Sequence, residues 1–386
     1  MKILHIAPNA PYNDNWGYQE NLLPKYQKKA GHEVTLIVSN RTFKDGVIAE
    51  MACADYVSDD GVRIIRLKRK RYMWGLKTSL YSKLDVYPYI KEIAPDMIFY
   101  HGLHSKTVYD AVKYKKKDDP SCVIVQDNHM DYNNGAGANG IKNKLIRGFY
   151  RRIVKKTVPY ISRIYGVTPW RKQYAEEYYG APVEKTDVLI MGADDEQLSI
   201  EKKDVLRQEI RGQYGIADGE FLVVTGGKID RRKQIHLLIE ACSKLSGVKL
   251  LIFGNVSDDF EEEFTTLIKE NNNAINVGWV KSGDVYKYFF AADLVVFPGG
   301  HSVMWEQACA SKVPCLFRGW QGIEHLNNGG NAGFLSSVTC DSLKAEIEAL
   351  RFTPKYREMQ KQALSDATDV FLYSNIAKKS VECAEK

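Results

Sequence analysis

Short apolar segments alternate with longer helical ones along almost the whole chain, and most of the apolar segments end in glycine, histidine or another polar residue. Parallel strands need long crossovers, so this alternation predicts parallel α/β sheets covered by helices. KILHIA (2–7), HEVTLIVS (32–39), DMIFYHG (96–102), SCVIVQDNH (121–129) and RIYGVT (163–168) are the expected strands of a first sheet. The pattern restarts at FLVVTGG (221–227) and continues through KLLIFGN (249–255), INVGWV (275–280), LVVFPGG (294–300), VPCLFRG (313–319) and AGFLSS (332–337). A chain of 386 residues exceeds one ordinary core. The expectation is α/β, with two doubly wound Rossmann-like domains at 1–195 and 196–370, and a closing helix at 371–386 packing back onto the first. Open parallel sheets bind ligands beyond the carboxyl ends of their strands. Two such sheets facing each other put their polar strand ends on opposite walls of a central cleft.

Apolar residues at 44% and charged residues at 26% exclude a disordered chain. No apolar run approaches the roughly 18 residues that span a bilayer, and the opening MKILHIAPNAPYND reads as a strand rather than a secretory signal. The seven cysteines (Cys53, Cys122, Cys242, Cys309, Cys315, Cys340, Cys383) form no C-x-x-C pair. That usage suits reduced core cysteines in a cytoplasmic protein, and no metal site is expected.

Two strand-to-helix turns carry candidate chemistry. GGKIDRRK (226–233) places Lys228, Arg231, Arg232 and Lys233 after Gly226 and Gly227, just before an apolar-faced helix. Cations there oppose the helix dipole unless an anion joins them; a plain solvated loop is the alternative. The second turn, GGHSVMWE, runs from Gly299 and Gly300 through His301, Ser302 and Val303 to Glu306. Its backbone N–H groups suit a diphosphate and its carboxylate suits a ribose diol, although such a glutamate is also an ordinary helix-surface residue. His129 closes a first-half strand among Asp127, Asp131 and Asn133, either as a structural histidine or as part of a polar site. His101 and His104 are weaker candidates of the same kind.

The order strand, G-K-x5-K, helix, LLIEA, LLIFGN, VGWV, AADLVVFPGG, WEQACA and VP resembles the C-terminal half of GT-B glycosyltransferases, notably glycosyltransferase family four (group 1). GYQENLLPKYQKKAGHEVTLI and GVTPWRKQYAEEYYGAPVEKTDVLIMGAD are similar to that family's N-terminal half, so the resemblance covers nearly the whole chain. It implies a nucleotide-sugar donor held by the C-terminal domain. The family's diphosphate-binding Arg and Lys fall on Lys228 and Lys233, and Lys228 lacks the bidentate fork of an arginine. Gly227, Gly300, His301, Ser302 and Val303 fall at the donor turns, Trp279 and Val280 beside the base, and Glu306 at the ribose. The family's glycine loop falls on Gly17, and its strand-end histidine falls on His129. Asp127, Asn133 and His101 are acceptor-side candidates. The family's E-x7-E motif is shortened here: Pro298 stands where the first glutamate is expected, and His301 or backbone N–H groups are its candidate replacements. The shortened turn is also similar to that of the GT-B glucosaminyltransferase of peptidoglycan synthesis.

Basic residues concentrate in RIIRLKRKRYMWGLK (63–77) and IKNKLIRGFYRRIVKKTVPYISR (141–163), and no acidic residue lies between Asp131 and Glu176. Both stretches carry aromatics: Tyr72 and Trp74, flanking Met73, accompany one, and Phe149, Tyr150 and Tyr160 the other. They are either solvated faces or a surface for anionic lipid headgroups, and no nucleic-acid module accompanies them. The expected activity is sugar transfer from a UDP- or GDP-sugar to a glycan or lipid-linked acceptor. The resemblance implies retention of configuration. No essential metal or other cofactor is expected, because lysines and helix dipoles already meet the charge of the diphosphate. The abundance of Lys, Asn, Ile and Tyr points to a bacterial source and so to cell-surface polysaccharide synthesis, at the inner face of the membrane if the basic stretches rest on lipid. The alternatives are a GT-B sugar-nucleotide epimerase and a catalytically silent protein that binds a membrane or partner through its basic face.

Overall fold

The computed structural model describes residues 1–44, 47–71, 82–133 and 141–385. The chain forms two compact units, Met1–Met191 with Tyr373–Lys386, and Gly192–Leu372.

The sheet of the first unit uses β1 (Lys2–Ala7), β2 (Glu33–Ser39), β3 (Ala54–Val57), β4 (Arg63–Leu67), β5 (Met97–Tyr100), β6 (Val123–Asn128), β7 (Arg163–Gly166) and β8 (Thr186–Val188). Their order is β8-β7-β6-β5-β1-β2-β4-β3, parallel throughout except where β3 pairs with β4. The central strands are buried along nearly their whole length, as helix-covered parallel strands must be. Strand order reverses between β1 and β5, so the chain leaving Ala7 and the chain leaving Tyr100 diverge and open a crevice. Helix α1 (Gln19–Lys29) covers one face, and the long helix α2 (Ile141–Thr157) lies in the same unit. The C-terminal helix, Tyr373–Val381, packs on α1: Tyr26 and Tyr373 stack 6.3 Å apart, and Ile376, Ala377 and Val381 join the core of Leu22, Leu23 and Tyr26.

RIIRL was expected within a basic surface, and the structure corrects this. It is strand β4, with Ile64 and Ile65 in the core and Arg66 only 1% exposed. The Arg66 guanidinium bonds Asp14, the Tyr12 carbonyl and the Tyr56 hydroxyl. Arg63 forks onto Asp55 and reaches Glu92, and Lys70 pairs with Asp85. Residues 72–77 of that stretch, with Tyr72, Met73 and Trp74, lie outside the described residues. On α2, Arg151, Arg152, Lys155 and Lys156 are exposed, whereas Tyr150 is a core residue packed edge-on to His104 and Tyr179. Among the described residues no helix is long and apolar enough to cross a membrane.

The second unit has six parallel strands: β9 (Phe221–Gly226), β10 (Val248–Phe253), β11 (Ala274–Gly278), β12 (Leu294–Phe297), β13 (Cys315–Arg318) and β14 (Ala332–Leu335). Their order, β11-β10-β9-β12-β13-β14, reverses between β9 and β12. The two turns singled out by sequence leave the carboxyl ends of those two strands. Helices α3 (Ile235–Ser243) and α4 (Met304–Ala310) follow the turns.

Candidate active site

In the second unit, backbones crowd at the strand ends. Gly227 sits at φ +106°, and a Cβ on Gly254 would fall 1.8 Å from the Gly227 carbonyl oxygen, so glycine is required. Beside this turn lies a cavity of about 370 Å³ lined by Gly227, Lys228, Asn255, Trp279, Val280 and Met304, among others. Lys228 is exposed, and the Trp279 indole is 64% exposed on the rim. Four of the expected donor residues therefore meet around one cavity, which also takes in Met304.

The other cations of the loop are not equivalent. Asp230 caps a short turn by accepting from the backbone N–H groups of Arg232 and Lys233, and its carboxylate also pairs with the Arg232 guanidinium. Arg231 pairs with Glu263. Lys233 is half-buried, and its ammonium donates to the Gly300 carbonyl at 2.6 Å. Burial lowers its pKa; nearby Asp230 opposes that shift only in part. Gly299 packs against the Lys233 backbone, so the two turns expected to share a diphosphate are joined to each other. Ser302 and Val303 lead into α4, with Val303 at its N-cap; the Ser302 carbonyl accepts from Trp305 N and the Val303 carbonyl from Gln307 N.

The structure corrects the expectation for Glu306. Its carboxylate is fully buried and is not presented as an open diol acceptor. His301 Nε2 lies 2.9 and 3.1 Å from its two oxygens, and His325 Nε2 lies 3.0 Å from Oε1. Burial alone would raise this carboxyl; the imidazoles of His301 and His325 outweigh it and hold the group down at about 2. The His301 ring is accordingly turned inward, edge-on to the buried Trp305, rather than lining the cavity. His325, unforeseen from sequence, completes the cluster, and its Nδ1 is a buried atom with no hydrogen-bond partner.

In the first unit a smaller cavity, about 130 Å³, opens at the strand-order reversal, lined by Asn9, Glu20, His101, Gly102, His104 and His129, among others. Asp127 lies beneath it, fully buried, and accepts from His101 Nδ1 (2.7 Å), Gly102 N (2.8 Å), His129 Nε2 (3.3 Å) and Gln19 Nε2 (3.4 Å). Burial would raise the Asp127 carboxyl, but His101 and His129 reverse this and hold it well below the usual range. His129 is about one-third exposed, at 34% of its side chain. Burial disfavours its charged form, yet the Asp127 carboxylate prevails and its pKa is raised. Burial depresses His104, which also sits 3.3 Å from Asn9 Nδ2.

Two acceptor-side expectations and one donor-side expectation, Gly17, change here. Asp127 is a support for the histidines rather than a lining residue. Asn133 is exposed and away from the cavity lining, its N–H taken by Asp131, which in turn pairs with Arg171. Gly17 is not in the lining either; it is Glu20, in the first turn of α1, that reaches the cavity. His101–Asp127–His129 and His301–Glu306–His325 each bring three ligand atoms within 4.8 Å of one another, close enough to hold a metal ion. The hydrogen bonds above already account for both clusters.

These geometries belong to a recognisable family. The Glycosyltransferase Family 4 model matches residues 22–197, and the Glycosyl transferases group 1 model matches residues 207–365. The chain belongs to the group 1 glycosyltransferases. An uncharacterized glycosyltransferase of Methanocaldococcus jannaschii is 24% identical over 216 residues. That match takes in 53% of this chain and 54% of the relative, so it spans about half of each. A solved glycosyltransferase from Rickettsia africae aligns over 100% of this chain and 97% of its own, at 16% identity and a TM-score of 0.73. The Anabaena protein HepE, solved in complex with UDP, aligns over 99% of each chain at 16% identity and a TM-score of 0.68. This glycosyltransferase thus shares the GT-B fold of two Rossmann-like domains.

Proposed function

We propose that this group 1 glycosyltransferase moves a sugar from a UDP- or GDP-sugar to a glycan or lipid-linked acceptor, with retention and without a metal. One observation carries the donor assignment: Gly227, Lys228, Trp279 and Val280 converge on one cavity at the β9–β12 reversal, beside the Lys233–Gly300 pair. A nucleoside diphosphate needs a flat apolar contact for its base and fixed positive charge for its phosphates. Trp279 supplies the first, and Lys228 and Lys233 the second. As the glycosidic bond to the diphosphate breaks, charge grows on the leaving oxygens. The two ammonium groups and the N–H groups of residues 300–303 stabilise it. Lysines doing this work leave no charge that a metal must neutralise. HepE, which shares the fold, was solved with UDP, and this favours UDP as the base carrier.

His129 is assigned to orienting the reacting sugar or stabilising its oxocarbenium-like state, with Asp127 holding the imidazole. The acceptor is assigned to the first unit. The exposed cations of α2 favour an acceptor presented at an anionic membrane surface, as in bacterial polysaccharide assembly at the cytoplasmic face.

The test is thermal stabilisation by UDP, GDP, ADP and their sugar conjugates, each with and without EDTA. A ligand at a hundred times its Kd adds roughly 2.7 kcal/mol to the folded state. A selective shift that survives EDTA is expected. The absence of a shift from every nucleotide would overturn the donor assignment.

A further inference from the structure

A single file of hydrogen bonds runs through the first unit from the C-terminal helix to the floor of the His129 cavity. Ser380 Oγ donates to the Ala377 carbonyl at 2.6 Å, which spends its only proton. Gln27 must therefore offer Ser380 its amide nitrogen, and Nε2 donates there at 2.9 Å. That fixes the amide, leaving Gln27 Oε1 to accept from His5 Nε2 at 2.6 Å. With its proton on Nε2, His5 presents a bare Nδ1 to His101 Nε2, 3.1 Å away, and His101 must donate. The other His101 nitrogen faces Asp127 Oδ2 at 2.7 Å, and a carboxylate oxygen only accepts. Both nitrogens of His101 thus carry protons. His5, Gln27, Asp127 and Ser380 are at most 1% exposed and His101 is 5% exposed, so the file is shut off from bulk solvent.

We propose that Gln27 and Ser380 are positioning residues for this site: through His5 they fix a proton on each nitrogen of His101, so that the buried His101–Asp127 pair is neutral and His129 is the ring that exchanges protons with the cavity. His101 also lines the cavity, but both of its nitrogens are committed to the file. His129 lies 3.3 Å from the same carboxylate, a longer contact than that of His101, and is one-third exposed toward the cavity. Burial and the neighbouring His101 hold the His5 pKa down at about 3, in keeping with a neutral imidazole that passes the constraint along. A doubly protonated His101 has no lone pair for a metal, so the cluster works as a hydrogen-bonded unit. The C-terminal helix thereby takes part in the site from behind. The inference rests on the assignment of His129 to the reaction, but its evidence is the placement of protons.

Long-range ¹⁵N–¹H correlation spectra of the full chain labelled with [¹⁵N]histidine test this without any substrate. Signals are assigned by single histidine substitutions. The expected pattern at pH 7 is His5 protonated on Nε2 alone and His101 protonated on both nitrogens. Gln27→Met removes the acceptor, so His5 should move its proton to Nδ1 and His101 should lose the proton on Nε2. Ser380→Ala frees the amide to turn and should give the second pattern in part. A wild-type His101 with a single N–H, or an unchanged pattern in folded Gln27→Met, would overturn the proposal; where Gln27→Met does not fold, the wild-type spectrum decides. The predicted pattern together with a fully active His129→Ala would instead sink the catalytic assignment and leave the proton file standing.

Discussion

Gly299 and Lys233 are in backbone contact: a Cβ at the glycine would fall 2.3 Å from the lysine Cα, and the Lys233 ammonium reaches on to the Gly300 carbonyl at 2.6 Å. The two turns at the strand-order reversal are therefore one structural piece. Gly299→Ala should cost about 1–3 kcal/mol through overpacking, lowering the melting temperature by roughly 2–4 °C per kcal/mol for a unit of this size. Gly300→Ala, with open space around the glycine, should melt like the wild type. Lys233→Ala should also leave the melt nearly unchanged while weakening UDP binding about tenfold or more, the worth of one charge-assisted hydrogen bond. Calorimetric titration of UDP separates the three.

Glu306 is a different kind of residue from the exposed helix glutamate that its sequence position allows. Burial would raise its carboxyl, but His301 and His325 hold it at about 2 against an ordinary 4.5. A depressed carboxyl contributes stability that is fully present above pH 4.5 and is lost as pH falls toward 2; this shift corresponds to about 3 kcal/mol. Glu306→Gln should therefore be destabilised near neutral pH and should show a flatter acid limb in urea-melt stability between pH 4.5 and 2. Equal slopes for both proteins would remove the His301–Glu306–His325 cluster as a stabilising unit.

The contrast shows what the sequence makes legible. Strand-to-helix alternation and the strand-end glycines are local signals, and they identify the sheets and the turns at 226–233 and 299–306 directly. Partners brought in from a distance leave no such trace. His325 sits in GIEHLNNGG with no spacing that ties it to Glu306, and Gln27 and Ser380 meet only because the last helix returns to the first unit. RIIRL misleads for a related reason. Arg66 reads as surface charge until Asp14, Tyr12 and Tyr56, from other segments, bury it.

Trp279 exposes 64% of its surface on the rim of the second unit's cavity, without a packing role that would explain so large an apolar side chain there. Trp279→Ala should leave the melting temperature within about 1 °C of wild type, as surface changes do. Loss of the ring should cost about 1–3 kcal/mol of nucleotide affinity if a base stacks on it. Quenching of indole fluorescence by UDP, absent in the variant, reads the same contact. Unchanged affinity would take Trp279 out of the donor site.

His129 is raised above its ordinary 6.5 because the Asp127 carboxylate outweighs the cost of burial. A raised histidine contributes stability that is complete below pH 6.5 and is lost as pH rises through the raised value. Asp127→Asn should bring the His129 titration, followed by NMR, down toward or below 6.5. If His129 works as a cation, the alkaline limb of the rate profile should move down with it. A rate profile that stays put while the titration moves would show that the charge on His129 is not what the reaction uses.

The exposed cations on and beside α2 make the last prediction, and the correction at β4 sharpens it. Arg63, Arg66 and Lys70 are each paired with a carboxylate, and Arg66 is buried, so part of the basic character of 63–71 is neutralised within the fold. On and beside the other stretch, Lys106, Arg152 and Lys156 line an open cavity of about 570 Å³ together with Tyr109 and Phe149, and Lys106 lies 5.3 Å over the Phe149 ring. Cations over aromatic surface suit phosphate headgroups at a lipid interface. Each contributes about 1 kcal/mol near an anionic membrane. Replacing Lys106, Arg152 and Lys156 by glutamine should then weaken binding to phosphatidylglycerol vesicles by at least about a hundredfold, without changing the melt or UDP binding. The effect should shrink at high salt, since these charges are exposed. Arg66→Gln should do the reverse, destabilising the first unit while folded protein keeps its vesicle affinity. Vesicle binding lost with Arg66 and kept in the triple variant would move the membrane face away from α2.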